Sequence, residues 1–205
     1  MRELLKFLTL RRLERPSLRR RGTPVWNSCA AIVVAVAAVI GGSIANAVPA
    51  QAAGPTPAFK NEVLTAHNKV RAQYGAPPLT WSDALYPGTL QWASTYKFQH
   101  SNSGGKYGEN LYFYNGLDTA GAIKKALASW MAESSKDNYN NPVFSGATGH
   151  FTQVAWKSTK QVTAAAVNCR KGTISGTSAT VYVVARYSPA GNFQGQFEQN
   201  VGRPV

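Results

Sequence analysis

The chain has 205 residues, of which 44% are hydrophobic and 11% aromatic, so it is long and apolar enough for one domain with a real core. Charged residues make up only 15%, below the value of about 25% that is usual for soluble domains. The formal net charge is +13, but the positive residues form no stripe and accompany no nucleic-acid reader motif. The composition therefore predicts no nucleic-acid partner, and at most a mild attraction to anionic surfaces such as membranes or cell walls.

The N-terminal segment resembles an export signal. A basic region opens the chain, an uncharged apolar run extends from Cys29 to Ala47, and small residues follow it. This order predicts a secretory signal over residues 1–53 that is removed, which would make the mature protein extracellular. A single membrane anchor is the alternative, because the apolar run is just long enough to span a bilayer. Residues 54–57 are then a short tail, and residues 58–205 form one domain.

The first helix has a clear predicted start. Thr56 can cap it, and Pro57 suits its first turn. Apolar or aromatic residues then recur at helical spacing up to Gly75, namely Phe59, Val63, His67, Val70 and Tyr74. A histidine on such a stripe is more often a packed core residue than a ligand, so we expect His67 to be structural.

Two more helices and two strands are predicted further along the chain. One helical stretch starts at the cap Ser82 and runs toward Phe98, with a proline-induced kink or delay. Asp118 is expected to cap a third helix that ends near Glu133. Residues 161–169 and 180–187 read as strands. Helices first and strands late, without strand–helix alternation, indicate an α+β fold in which helices cover an antiparallel sheet.

Four polar residues are embedded among glycine and aromatic residues, where an unpaired charge would be costly. They are His100, Glu109, Glu133 and His150. Two histidines and two glutamates can satisfy one another in a shared cavity, or they can hold a metal ion. The residues themselves leave both alternatives open.

Six ordered segments resemble the signature motifs of one family, the CAP superfamily of cysteine-rich secretory, antigen 5 and pathogenesis-related 1 proteins (the SCP domain). They are AHNKVR at 66–71, PLTWS at 78–82, HS at 100–101 with GENL at 108–111, SWMAE at 129–133, TGHFTQVAW at 148–156 and YSPAGN at 187–192. The resemblance covers the chain from about residue 58 to its end.

The resemblance implies the family's three-layer α-β-α sandwich with a central antiparallel sheet. It also implies that His100, Glu109, Glu133 and His150 form a cavity tetrad able to hold a divalent cation, with zinc favoured because imidazole nitrogen suits it. Four other polar residues in the motifs are expected to be structural: His67, Asn68, Asn110 and Gln153.

The sequence departs from the family pattern in two places. Cys169 is the only cysteine beyond the N-terminal segment, and alanine stands at 185, the expected position of its usual partner, so the domain should lack a disulfide. The segment before His100 is short and without cysteine, but Trp92, Tyr96 and Phe98 keep it aromatic. We expect these three residues to form a hydrophobic lipid site that takes fatty acids better than sterols.

Three functions compete on this evidence. The leading hypothesis is a secreted, monomeric, non-enzymatic binding protein for a small hydrophobic ligand or a component of the cell surface or membrane. The second is a metal-dependent hydrolase that uses the tetrad, although neither an HExxH helix nor a GxSxG elbow is present. The third is a purely structural polar network, with the function in surface contacts.

Overall fold

The computed structural model describes residues 55–205. The predicted secretory signal at 1–53 lies outside these residues. Within them, no helix is both long enough and apolar enough to cross a membrane.

The first helix, α1, spans Pro57–Ala72 and begins as predicted. The Thr56 hydroxyl accepts a hydrogen bond from the Phe59 backbone N–H at 3.2 Å, and proline occupies the first turn. The inward face of α1 buries Val63, His67 and Arg71. His67 is fully buried, so its prediction as a core residue is confirmed.

The sheet has four strands in the order β1-β3-β4-β2 within the described part of the chain. Their bounds are β1 Thr80–Trp81, β2 Gly108–Asn115, β3 Gln161–Cys169 and β4 Thr180–Ser188. The pairs β2–β4 and β3–β4 are antiparallel as expected, but β1 runs parallel to β3. The sheet is therefore mixed: it is antiparallel as predicted across β2, β4 and β3, and the short β1 adds a parallel pair at its edge. The Asn68 side chain on α1 donates to the Leu79 carbonyl and accepts from its N–H, which fixes the chain where it enters β1.

Helices cover both faces of the sheet, which confirms the three-layer sandwich. Successive strand residues alternate between two cores, as the two-residue period of a strand requires. Ala164 and Val183 pack with α1 and with two later helices, α3 (Ala122–Ala132) and α4 (Gly149–Ala155). Ala165 and Val184 pack on the opposite face with α2 (Tyr86–Ala93).

The other helices differ from the predictions at their ends. Helix α2 is shorter than expected, at Tyr86–Ala93, because its proline fits only the first turn. Helix α3 spans Ala122–Ala132 and follows Gly121, whose φ of +68° ends the preceding turn, so Asp118 caps that turn and not the helix. A 3₁₀ turn, Glu133–Lys136, continues α3.

Two short helices were not predicted, α4 at Gly149–Ala155 and α5 at Phe197–Asn200. Both are shorter than two full turns, which is too short for a hydrophobic period to be visible.

Cys169 is buried at the end of β3. The antiparallel register places Thr180 opposite Cys169, and Ala164 opposite Ala185. The prediction that position 185 is the partner position of Cys169 is therefore wrong.

Candidate functional site

Three of the four predicted tetrad residues line one cavity, here called the central cleft. It has a volume of about 350 Å³ and is lined by His100, Glu109 and His150 among other residues. His100 lies in the loop after α2, Glu109 is the second residue of β2, and His150 is the second residue of α4. Glu133 is not among the residues that line this cleft. It stands beside His150 and lines a neighbouring pocket.

Glu133 clamps His150 in place. One carboxylate oxygen lies 2.7 Å from His150 Nδ1, and the other accepts the backbone N–H groups of His150 at 3.0 Å and Phe151 at 3.1 Å. These N–H groups belong to the first turn of α4, where helix donors lack internal partners. Glu133 therefore serves both as the cap of α4 and as the partner that orients the His150 ring.

The second pair, His100 and Glu109, is built differently. His100 Nδ1 lies 3.2 Å from Glu109 Oε1, but the His100 side chain is 61% exposed while that of Glu109 is only 5% exposed. Glu109 also accepts from the Ser101 backbone N–H at 2.8 Å, from the Ser101 hydroxyl at 2.7 Å and from Arg186 Nε at 3.0 Å. Its carboxylate is thus held mainly by buried neighbours, with His100 at its outer edge.

These contacts determine the ionisation of Glu109. Burial alone would raise the pKa of this carboxyl, but the hydrogen bonds from His100, Ser101 and Arg186 outweigh it and lower the pKa to about 2. Glu109 is therefore charged at any physiological pH.

Arg186 is a site residue that the sequence analysis missed. Its guanidinium reaches Glu109 and the Ser101 hydroxyl and lies 4.3 Å from the centre of the Tyr107 ring. The signal was present, because Arg186 lies within the apolar strand β4, and a charged residue buried in a strand needs a partner of opposite charge.

The amide residues of the motifs are structural, as predicted. Asn110 donates to the His150 carbonyl, and Gln153 accepts from the Gly191 N–H. A Cβ atom on Gly108 would lie 1.8 Å from Gln153 Oε1, so only glycine allows β2 and α4 to approach this closely.

The two histidines can be tested for their fit to a metal ion. Both turn Nδ1 toward a carboxylate, the arrangement that leaves Nε2 for a metal and raises its basicity. Within residues 55–205, however, no group of three or more His, Cys, Asp and Glu is placed to hold an ion together. Cation binding by the two histidines therefore stays a prediction, in which Glu109 and Glu133 would contribute by orienting the rings.

The aromatic segment predicted as a lipid site does not form one cavity. Trp92 and Tyr96 are half-buried and pack against the core on the α2 side of the sheet. Phe98 is 48% exposed, and its ring lies 4.7 Å from that of Phe113 and 5.9 Å from that of Tyr182. Lipid binding by these three residues stays a prediction.

A larger cavity lies between α1 and α3 and is here called the helical groove. Its volume is about 720 Å³, and its apolar lining includes Val70, Leu127 and Met131. Three charged residues also line it: Glu62 and Lys69 on α1 and Lys124 on α3. Neither lysine has an ion pair or hydrogen bond with any residue of the described range 55–205. The sequence analysis missed this groove. Its signal is the set of small residues beside the apolar stripes, Ala58, Ala66 and Ala128, which leave space between the helices.

Comparison with known proteins identifies close relatives. The model of the cysteine-rich secretory protein family, CAP, matches residues 64–187. The human Golgi-associated plant pathogenesis-related protein 1 is 39% identical over 71% of this chain and 94% of its own length. The secreted protein RBT4 of Candida albicans is 40% identical over 67% of this chain, and the pathogenesis-related protein PR-1 of Medicago truncatula is 35% identical over 67% of it. The matched region spans 36% of RBT4 and 78% of PR-1.

Solved structures share the fold. BmVAL-1 superimposes with a TM-score of 0.60 at 24% identity, covering 77% of this chain and 88% of its own. NaASP2, solved with Zn²⁺, has a TM-score of 0.57 at 21% identity, covering 76% of this chain and 90% of its own. These likenesses establish the fold of the described residues.

Proposed function

This chain belongs to the cysteine-rich secretory protein family, CAP, and we propose that it is an exported, non-enzymatic protein that binds a fatty acid in the helical groove. The observation that carries the proposal is a mainly apolar groove whose charged lining residues are two lysines and one glutamate, Glu62. The two lysines have no partner among residues 55–205. Secreted relatives such as RBT4 support export.

The volume and lining of the groove suit a small amphiphile. Ligand pockets usually measure about 300–1,000 Å³, are mainly apolar and carry a few polar groups that fix the ligand. The groove, at about 720 Å³, lies in this range. Each methylene of an acyl chain that leaves water for Val70, Leu127 and Met131 contributes about 0.8 kcal/mol.

The two lysines select the headgroup. An ammonium group attracts a carboxylate, whereas a sterol hydroxyl carries no charge to attract. Because Lys69 and Lys124 lie on different helices, a carboxylate between them would be drawn to both. This favours a fatty acid over a sterol.

The proposal is tested by filling the groove. Ala128 is exposed and lines the groove, so Ala128→Trp should occupy the ligand's space without disturbing the core. Ala132 is also exposed on α3 but does not line the groove, which makes Ala132→Trp the matched control. With palmitate in calorimetry, we expect A128W to weaken binding about tenfold or more, which corresponds to about 1.4 kcal/mol, and A132W to bind like the wild type. Equal binding by all three proteins would refute the groove as the site.

Export has its own test. The predicted signal should be cut after Ala47, Ala52 or Ala53, so intact-mass analysis of culture medium should find a chain that starts just beyond one of them. Recovery of the full-length chain from membranes would refute export.

A second binding function is supported by the orientation of the two histidines. We propose that His100 and His150 bind a divalent cation, with zinc favoured, through Nε2. Calorimetry should show binding that weakens in acid, because protons compete with the cation for the same nitrogens. His100→Ala and His150→Ala should each abolish it. Affinity no tighter than about millimolar in the wild type would leave the tetrad as a structural polar network.

A further inference from the structure

A third cavity, here called the aromatic pocket, shares His150 with the central cleft but has a different lining. Its volume is about 270 Å³. Its walls include four aromatic side chains, one carboxylate and one imidazole: Phe98, Tyr112, Phe113, Trp130, Glu133 and His150. Neither the helical groove nor the proposed cation site uses the aromatic residues of this pocket.

The rings of this pocket lie in several planes. Phe98 and Phe113 are inclined by 79° with centroids 4.7 Å apart, so they form two nearly perpendicular walls. Trp130 lies almost parallel to the His150 ring, at 15° and 6.1 Å. The Trp130 Nε1–H donates to the Leu111 carbonyl, which fixes the ring in its plane. Phe98, at 48% exposure, is the accessible wall.

One carboxylate, that of Glu133, lies at the pocket. The Glu133 side chain is 19% exposed, and its hydrogen-bond donors are two backbone N–H groups and His150 Nδ1. No lysine or arginine lies among the residues that line the pocket within the described chain. A carboxylate beside several aromatic faces favours a cation that gives up its water easily, because the ring quadrupole attracts positive charge.

We propose that the aromatic pocket binds a methylated ammonium group such as that of choline. The methyl groups shield the positive charge from water and fit against the rings, while Glu133 supplies the opposite charge. A bare ammonium or metal ion would lose strong hydration in such a pocket, and a neutral apolar group would gain nothing from the carboxylate. This inference goes beyond fatty-acid binding and does not depend on it, since the two cavities share no lining residue.

The test uses the full chain, in the presence of a chelator so that metal at His150 does not interfere. Choline, ethanolamine and the uncharged choline isostere 3,3-dimethylbutan-1-ol are each titrated by nuclear magnetic resonance or calorimetry. Choline should bind about tenfold tighter than either of the others. Equal binding of the uncharged isostere would show a merely hydrophobic pocket, and equal binding of ethanolamine would show simple charge attraction; either result would overturn the proposal.

Phe98→Leu is the decisive variant, because it keeps apolar bulk on an exposed side chain but removes the ring. We expect choline affinity to fall about fivefold in F98L, with the melting temperature nearly unchanged and palmitate affinity retained. Unchanged choline affinity in F98L would overturn the proposal.

Free choline and the headgroup of phosphatidylcholine carry the same group, and a second arm separates these sources. Soluble dihexanoyl-phosphatidylcholine is compared with dihexanoyl-phosphatidylethanolamine, which lacks the methyl groups. If the choline lipid binds more tightly than free choline, a lipid headgroup is the source of the ligand. If free choline binds more tightly than the lipid, the free ion is the source. Absence of saturable binding for both choline compounds would refute the site.

Discussion

The central cleft and the helical groove place their charges in opposite situations. In the cleft, Glu109 is bonded to Arg186, Ser101 and His100. Beside the cleft, Glu133 is bonded to the first turn of α4 and to His150. In the groove, Lys69 and Lys124 line an apolar surface without an ion pair inside the described range. The buried pairing of Glu109 with Arg186 stabilises the fold, whereas the two lysines of the groove remain available for a ligand.

This contrast changes how the four tetrad residues are interpreted. The tetrad draws attention in the sequence because its charges stand among glycine and aromatic residues. In the structure, many of the hydrogen bonds and ion pairs of these residues connect β2, β4 and α4 to one another. Because both Nδ1 atoms are turned toward carboxylates, the two Nε2 atoms are the ring nitrogens left for another partner. We therefore expect substitutions in the cleft to change stability first, and substitutions in the groove to change ligand binding first.

The largest expected effect comes from separating the buried ion pair. Arg186 and Glu109 side chains are 6% and 5% exposed, so Arg186→Met leaves a buried carboxylate without its main cationic partner. The free energy of unfolding should fall by about 3 kcal/mol or more in urea denaturation. Lys124→Met in the groove is the control and should change it by less than about 0.5 kcal/mol. Similar changes in the free energy of unfolding for R186M and K124M would contradict the proposed difference between the two regions.

The next largest expected effect is on the pH dependence of folding stability. It comes from His67, which lies on α1 opposite the groove-lining positions. Burial lowers the pKa of His67 to about 4, against a partial opposing effect from its hydrogen bond to the Val63 carbonyl. The unfolded chain takes up a proton near pH 6.5, whereas the folded chain does not until about pH 4. His67 therefore contributes stability that is complete above pH 6.5 and declines by about 3 kcal/mol as pH falls to 4.

The measurement is the free energy of unfolding at several pH values, for wild type and for His67→Gln. The variant should lose most of the slope between pH 6.5 and 4. A slope equal to that of the wild type would show that groups other than His67 cause the acid sensitivity.

Much of the architecture was predictable from local sequence patterns. Capping residues predict the start of α1, and periodicity predicts the strands β3 and β4. The apolar context of His67 predicts its structural role. The parallel pairing of β1 was not predictable, because a two-residue strand has no period and its direction is set by the distant Asn68 clamp.

The site was predictable only in part. The motifs pointed to all four tetrad residues, but whether Glu133 lines the cleft or stands behind His150 depends on how α3 and α4 meet in space. The helical groove depends on the distance between two helices, which no local pattern encodes. Arg186, by contrast, could have been found by asking what neutralises a charge within an apolar strand.

The smallest expected effect is on headgroup selection in the groove. Replacing Lys69 and Lys124 together by glutamine should weaken palmitate binding about threefold to tenfold, because exposed charge pairs contribute only about 0.2–1 kcal/mol each. Binding of the uncharged alcohol hexadecanol should stay the same. Calorimetry with both ligands gives the ratio of their affinities in the wild type and in the variant. An equal loss of affinity for the acid and for the alcohol would show that the lysines act through packing alone.

The most direct test of the account is the location of a bound fatty acid. A palmitate analogue with a photoreactive diazirine group on its chain would be bound to the protein, irradiated, and mapped by mass spectrometry of peptides. Our account predicts crosslinks to the groove-lining positions within residues 58–70 and 124–131, and their loss in Ala128→Trp. Crosslinks confined to the aromatic segment at residues 92–98, unaffected by A128W, would contradict it.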